Sequence, residues 1–186
     1  MLTRENLGNF MEPRTAGMKK MLRVLGIAWV GLLLSPQSSG EYHFAGTLDE
    51  TFEKTTVVIE ASAQACHLFD VYVARTSEQR QRGLMFVRGM ADTTGMLFVY
   101  RRSQRQSIWM KNTYIPLDIV FFAADGRIVN IHENAQPLTL KSRRSAEAVN
   151  YVLELNGGTS ERLHIDTDSR VILPLPILNE VVPNSW

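Results

Sequence analysis

Trp109, Lys111, Asn112 and Thr113 stand almost side by side, and Asp118 follows them across Pro116 in the run Ile108-Trp109-Met110-Lys111-Asn112-Thr113-Tyr114-Ile115-Pro116-Leu117-Asp118-Ile119-Val120. An indole face stacks on sugars and other planar polar groups. An ammonium attracts anions and hydroxyls, while an amide, a hydroxyl and a carboxylate supply directional hydrogen bonds. A plain core strand needs none of these groups. A strand laying a polar surface beside a core would use all of them.

Strand alternation divides the run into two faces. With Ile108 and Met110 inward, Trp109, Lys111 and Thr113 point the other way. The indole and the ammonium then form a surface for a polar ligand, or a tryptophan lid over a barrel mouth with the lysine stem across it. Asn112 and Thr113 precede a proline turn, where short polar side chains also bond backbone. Asp118 opens a run continued by Ile119, Val120, Phe121 and Phe122, and Glu154 lies between Leu153 and Leu155. A carboxylate in such surroundings must be solvated or paired to stay charged. Lys111 is a partner for either, and Arg88 is a third candidate for the same network. Asp118 and Glu154 together would make a general acid and base, or each a structural clamp; their separation along the chain decides nothing about their distance in space. The candidate ligand-binding residues are thus Arg88, Trp109, Lys111, Asn112, Thr113, Asp118 and Glu154, with no catalytic role assigned.

The elements that must position these side chains are mostly strands. Residues 55–60 are β-branched, and 67–74 alternate with Leu68 and Asp70 on one face and Phe69, Val71 and Val73 on the other. Thr76-Ser77-Glu78-Gln79 fits a capping box that starts a short helix, with Glu78 and Arg82 spaced to pair and Gly83 where a left-handed cap belongs. Leu84, Met85 and Phe86 then plug the helix into the core. Strands are expected at 95–100, 108–111, 117–123, 127–133, 146–155 and 170–173, with Arg101 to Arg105 as a basic solvated loop, Asp125-Gly126 as a hairpin turn and a helical turn or two at 159–163. The fold class is mainly β (α+β). Many short strands with one or two short helices favour a small, partly closed β-barrel, which avoids long free edges.

Several chemistries find no support. The four histidines and Cys66, the one cysteine, show no metal-ligand spacing, and neither a phosphate-binding glycine loop nor a nucleophile elbow is present. No metal and no cofactor is expected. Cys66 reads as a small hydrophobe and cannot form an intramolecular disulfide. The chain has 20 Lys+Arg against 19 Asp+Glu. The first 40 residues hold five cations against two carboxylates, a net +3, which leaves fifteen against seventeen, a net −2, for the rest. That body does not suggest a phosphate-tracking surface, so nucleic acid is not an expected partner.

The basic N-terminus has its own explanation. Lys19, Lys20 and Arg23 precede an apolar run over 24–34, too short for a membrane-spanning helix but suited to a signal-peptide core. Met18 is an alternative start, and an uncleaved anchor is the alternative to cleavage. The expected organisation is an N-terminal extension and signal peptide over 1–40, a linker over 41–54, one β-rich domain over 55–175 and a tail over 176–186. The expected location is periplasmic or secreted, with membrane contact only through the leader.

In order, Thr76-x-Glu78 with Gly83-Leu84-Met85, Gly95-Met96-Leu97-Phe98, Trp109-Met110-Lys111-Asn112-Thr113, Pro116-Leu117-Asp118-Ile119, Asp125-Gly126 and Val152-Leu153-Glu154-Leu155 form a specific series. By these motifs the chain resembles the domain-of-unknown-function-192 family over about residues 56–173. The resemblance implies a signal peptide before one compact, largely β domain, and a site around Trp109, Lys111, Asn112, Asp118 and Glu154. It implies no reaction. Ile108 stands where the family has Phe, His164 where its helix closes on Gly, and Asp168-Ser169 where its turn reads Gly-Asp, which leaves the C-terminal geometry open. The reading from sequence is an exported ligand-binding or accessory module of the cell envelope, taking a polar small molecule or glycan or docking an envelope protein. The alternative is a small hydrolase or lyase acting on an envelope polymer through Asp118 and Glu154.

Overall fold

The β-branched and alternating segments behave as their side chains require. In the computed structural model, which describes residues 46–174 together with 177 and 179, β1 (Glu53–Glu60) pairs antiparallel along its whole length with β2 (Cys66–Ala74). The turn between them closes through Ala61 N–H to Ala65 O at 2.8 Å and Gln64 N–H to Ala61 O at 2.9 Å. Leu68 and Asp70 face solvent, while Phe69, Val71 and Val73 are buried, as the alternation predicts. The proposed leader, residues 1–40, lies outside the described residues.

A crossover through α2 (Ser77–Arg82) carries β2 to its parallel neighbour β3 (Thr94–Gln104). Both halves of the capping box form: Thr76 Oγ1 accepts from Gln79 N–H at 3.2 Å, and Gln79 Oε1 accepts from Thr76 N–H at 3.1 Å. Gly83 closes the helix at φ 47° but ψ −136°, outside the left-handed helical region expected of it and in a region that glycine alone enters cheaply. Leu84 and Met85 enter the core; Phe86, expected beside them, is 46% exposed at φ 67°. Arg82 reaches back to Thr51 Oγ1 and the Gly46 carbonyl, both at 2.9 Å. The segment read as a linker therefore joins the domain, with a short helix, α1 (Leu48–Thr51), capped by Thr47.

The remaining strands complete a seven-stranded sheet. A hairpin of β5 (Leu117–Phe122) and β6 (Ile128–Ala135) turns at Gly126, β8 (Val149–Asn156) lies between β5 and β3, and β9 (Arg170–Ile172) lies on β1. The order is β6-β5-β8-β3-β2-β1-β9, and it curls into a half-barrel. Val171 N–H donates to Gly126 O at 2.9 Å beside a bridge between Arg127 and Arg170, so the two ends of the sheet meet. An inner core unites Ile128 and Val120 with Val57, Phe69, Tyr151 and Val171. A second core on the outer face gathers Met96, Phe98, Ile119, Val152 and Met110 beneath α2 and the long loops. The fold is mostly β with a partly closed sheet, as expected, and the described residues include three short helices, the third being α3 (Thr159–Leu163).

Two segments differ from the reading above. The basic run does not loop out at Arg101; β3 continues to Gln104, with an irregularity between Val99 and Gln104 that lets it regain Val149 of β8. Its polar composition reflects exposure at the sheet's end rather than loss of pairing. Conversely, Trp109–Lys111 is not a strand. Only Ser107–Ile108 (β4) pairs, with Arg143–Arg144 (β7), and the chain then turns. His164 ends α3 in the left-handed region, φ 55° and ψ 43°, so the cap survives without glycine.

Candidate functional site

The turn after β4 is pinned by its apolar residue. Met110 is fully buried, and its N–H donates to Thr139 O at 3.0 Å while its carbonyl accepts from Thr113 N–H at 3.2 Å. Anchoring Met110 inward throws its neighbours outward. Trp109 is 51% exposed, and the Lys111 ammonium lies 5.6 Å from the indole centroid. The two groups share one solvent-reachable side, as alternation predicts, though a turn rather than a strand presents them. Thr113, expected beside them, is buried; its carbonyl accepts from Leu138 N–H at 3.1 Å.

Beneath this pair lies a cavity of about 110 Å³ whose lining includes Arg80, Tyr100, Trp109, Lys111, Thr113 and Glu154. Glu154 comes from β8. It pairs with Met96 of β3 and Ile119 of β5, so its side chain points to the outer core, while Leu153 and Leu155 point to the inner one. It is 4% exposed, and among the described residues no hydrogen bond or ion pair reaches its carboxyl group. Burial alone pushes its pKa from the ordinary 4.5 up to about 8. Burial likewise pushes the Tyr100 phenol up to about 12, with the Arg80 guanidinium drawing it down and the Glu154 charge adding to the rise. Arg80 lies 5.0 Å from the Tyr100 ring centroid and donates to the carbonyls of Arg75 and Val99. The cavity thus combines fixed cations with a carboxyl group that carries its proton near neutral pH. Such a site accepts anions and hydroxyl groups more readily than cations.

Sequence reasoning missed Arg80 and Tyr100. Tyr100 continues the alternation Met96, Phe98, Tyr100 on the Glu154 side of β3, which register alone would have shown. Arg80 carried no local signal beyond its place on the capped helix. The glycine that ends that helix also fits the site: a Cβ at Gly83 would stand 3.1 Å from the Phe98 ring.

The structure does not bring every predicted residue here. Asp118 is fully buried on the inner face, paired in register with Leu155 rather than Glu154. Its Oδ1 accepts from Asn134 N–H at 2.9 Å and Gly158 N–H at 3.0 Å, and its Oδ2 from Ser160 N–H at 2.7 Å. Both oxygens are occupied, and the two carboxylates point to opposite sides of one sheet. An Asp118–Glu154 acid and base pair is therefore corrected to a backbone clamp and a separate cavity group. Arg88 is also elsewhere: its guanidinium stacks 4.9 Å from the Tyr114 ring centroid at the surface. Asn112 sits at φ 56°, its carbonyl accepting from Phe86 N–H at 2.8 Å and its amide directed to Met85 Sδ at 3.9 Å. It joins two loops and does not line the cavity.

Two outcomes follow. Asp118→Asn replaces an acceptor with a donor against at least one buried N–H, and should lower unfolding free energy by about 3 kcal/mol in urea titration; an unchanged midpoint would show the clamp to be dispensable. For Glu154, the folded state retains its proton between pH 4.5 and about 8 while the unfolded state releases it. Stability should therefore fall as pH rises through that window, by up to about 1.4 kcal/mol per unit. The same series on Glu154→Gln should lose this slope; parallel slopes in the two proteins would mean that Glu154 ionises normally.

The comparisons with known proteins agree with this architecture. The profile of the family DUF192, described as "Uncharacterized ACR", matches residues 57–173. The chain is similar to a putative transcription regulator from Sinorhizobium meliloti 1021, solved at 1.55 Å, with 42% identity and a TM-score of 0.64 over 65% of this chain and 94% of that one. It is also similar to a protein of unknown function from Novosphingobium aromaticivorans DSM 12444, solved at 1.22 Å, with 35% identity and a TM-score of 0.64 over 66% and 86%. No curated protein matches the chain. The profile covers more than half of the residues, and the chain belongs to the DUF192 family.

Proposed function

We propose that this protein is an exported module of the cell envelope that holds the anionic or hydroxyl-bearing end of a small polar molecule. The observation that carries the reading is the Glu154 carboxyl group, buried, without a partner among the described residues, and facing a cavity that Trp109 and Lys111 also line. The carboxyl oxygens are not sealed in but open onto that cavity, where water or a ligand oxygen in its place supplies the missing partner. A fold keeps such a group where something else completes it. Here a ligand oxygen would accept from the protonated Glu154 and approach the Lys111 ammonium, while the indole covers the ligand's apolar face.

Cavity size narrows the ligand class. Pockets for drug-sized molecules run from about 300 to 1,000 Å³, and this one is about 110 Å³. It fits a carboxylate, a phosphate or the substituent of one sugar, not a stretch of glycan. A longer envelope component would place only its terminus inside. The export half of the reading rests on the charged and apolar leader, with its run at 24–34.

Titrating acetate and inorganic phosphate against the Trp109 indole N–H resonance tests the site. The wild-type protein should bind at pH 7 and lose affinity at pH 9, as Glu154 ionises against an anion. Glu154→Gln should keep its affinity at both, and Lys111→Ala should weaken binding about ten-fold. Silence of the resonance with both probes, or identical pH profiles in wild type and Glu154→Gln, would sink the assignment. Export is read independently from the protein recovered in the envelope fraction: its first residue should lie beyond 34, and cytosolic protein that keeps its leader would remove the envelope from the proposal.

A further inference from the structure

Among the described residues, seven large hydrophobic side chains are exposed, and five of them, Phe86, Trp109, Tyr114, Leu138 and Leu140, come from three neighbouring loops. The loops are tied to one another by backbone hydrogen bonds. Phe86 N–H donates to Asn112 O at 2.8 Å, Leu138 N–H to Thr113 O at 3.1 Å and Met110 N–H to Thr139 O at 3.0 Å. The Phe86 and Tyr114 rings meet edge to face with centroids 6.2 Å apart. The five side chains therefore belong to one held surface, not to scattered positions.

Backbone conformation makes their exposure harder to dismiss. Phe86 has φ 67°, Asn112 φ 56° and Leu138 φ 59°. Asparagine tolerates that region; phenylalanine and leucine do so at a cost, which cores usually offset by burying the side chain. Phe86 is 46% exposed and Leu138 59% exposed, so burial in this domain does not offset it. Glycine or asparagine would serve these turns better if turning were their only task.

The charge along the strip is mostly of one sign. The loops over 83–93, 109–116 and 136–142 hold Arg88, Lys111 and Lys141 against one carboxylate, Asp92. Arg88 lies against Tyr114 and Lys111 against Trp109, so the cations interleave with the apolar groups rather than forming a separate patch. Glu133 approaches only from the flank, sharing a groove with Lys141.

We infer that this strip is a docking surface for an anionic lipid bilayer. Exposed leucines and aromatics enter the headgroup boundary, while arginine and lysine lie along it with their charges toward lipid phosphates. A nucleic acid would use the cations but leave Leu138 and Leu140 in water. A protein partner or second copy would use the apolar groups but gives no reason for a cation to lie against each of the exposed Trp109 and Tyr114 rings. The inference adds membrane contact by the folded domain; it shares Trp109 and Lys111 with the cavity, but Glu154 takes no part in it and Leu138 and Leu140 take no part in the cavity.

The test uses residues 42–186, the compact unit that contains this domain, whose counterpart makes up almost the whole crystallised S. meliloti chain. The leader is thereby excluded, and Trp186→Phe leaves Trp109 as the sole tryptophan. Vesicles of equal parts phosphatidylglycerol and phosphatidylcholine should sediment the protein and shift Trp109 emission to the blue; pure phosphatidylcholine should bind it at least ten-fold more weakly. Leu138→Asn with Leu140→Ser should cut partitioning at least ten-fold while thermal stability holds or rises, since asparagine suits φ 59° better than leucine. Lys111→Glu with Lys141→Glu should abolish the preference for anionic lipid. Absence of partitioning, equal binding to both vesicles, a dimer that the leucine variant dissolves, or duplex-DNA binding that this variant retains would each overturn the assignment.

Discussion

Three backbone amides on one carboxylate hold this domain in shape. Asp118 gathers the N–H groups of Asn134, Gly158 and Ser160 at 2.7–3.0 Å, fixing the end of β6 and the entry to α3 onto β5. A buried carboxyl group with an amide donor on each oxygen is stabilised, whereas the same group with a partner missing is a liability. Gly157 lies between the donors, and a Cβ there would stand 2.7 Å from Asn134 Oδ1 and 3.0 Å from Pro116 Cβ. The Pro-Leu-Asp-Ile segment and the Asn-Gly-Gly segment are thus two halves of one joint.

That joint explains why the two carboxylates of the central strands have unrelated duties. β5 and β8 are neighbours, but Asp118 pairs with Leu155 and Ile119 with Glu154. One step in register sends one acid into the curl and the other out of it. The inner acid meets amides because the curl brings two chain segments, the end of β6 and residues 158–160, to it. The outer acid meets only side chains and a cavity, because α2 and the 106–116 loop cover it without supplying a donor among the described residues. Desolvation without compensation raises its pKa, and the contrast between these environments is larger than anything the identity of the residues would suggest.

Much of the fold was legible in the sequence because short-range physics dictates it. The alternation in 67–74, the Thr76 and Gln79 capping box and the Asp125-Gly126 turn each specify local geometry with few competitors, and all three formed. The run after Ser107 was harder. Trp109, Met110 and Lys111 alternate in and out whether the backbone is extended or turning, so the facing of Trp109 and Lys111 was readable while the strand was not. The partition of Asp118 from Glu154 needed strand register, which no local pattern encodes. Arg80 and Tyr100 reach the cavity through tertiary packing of α2 on β3, and Arg88 leaves it because Tyr114 offers a nearer face. The basic run at 101–105 read as loop because exposure, not pairing, sets its composition.

The meeting of Arg127 with Arg170, and of Val171 N–H with Gly126 O, has a consequence for self-association. A sheet of seven strands left flat would present two open ladders of amides and carbonyls, each a template for another chain. Here the curl turns the two outermost strands toward each other, so each blunts its neighbour. A chain with a single cysteine can draw on no internal disulfide, and this curl guards it against cross-β association by geometry.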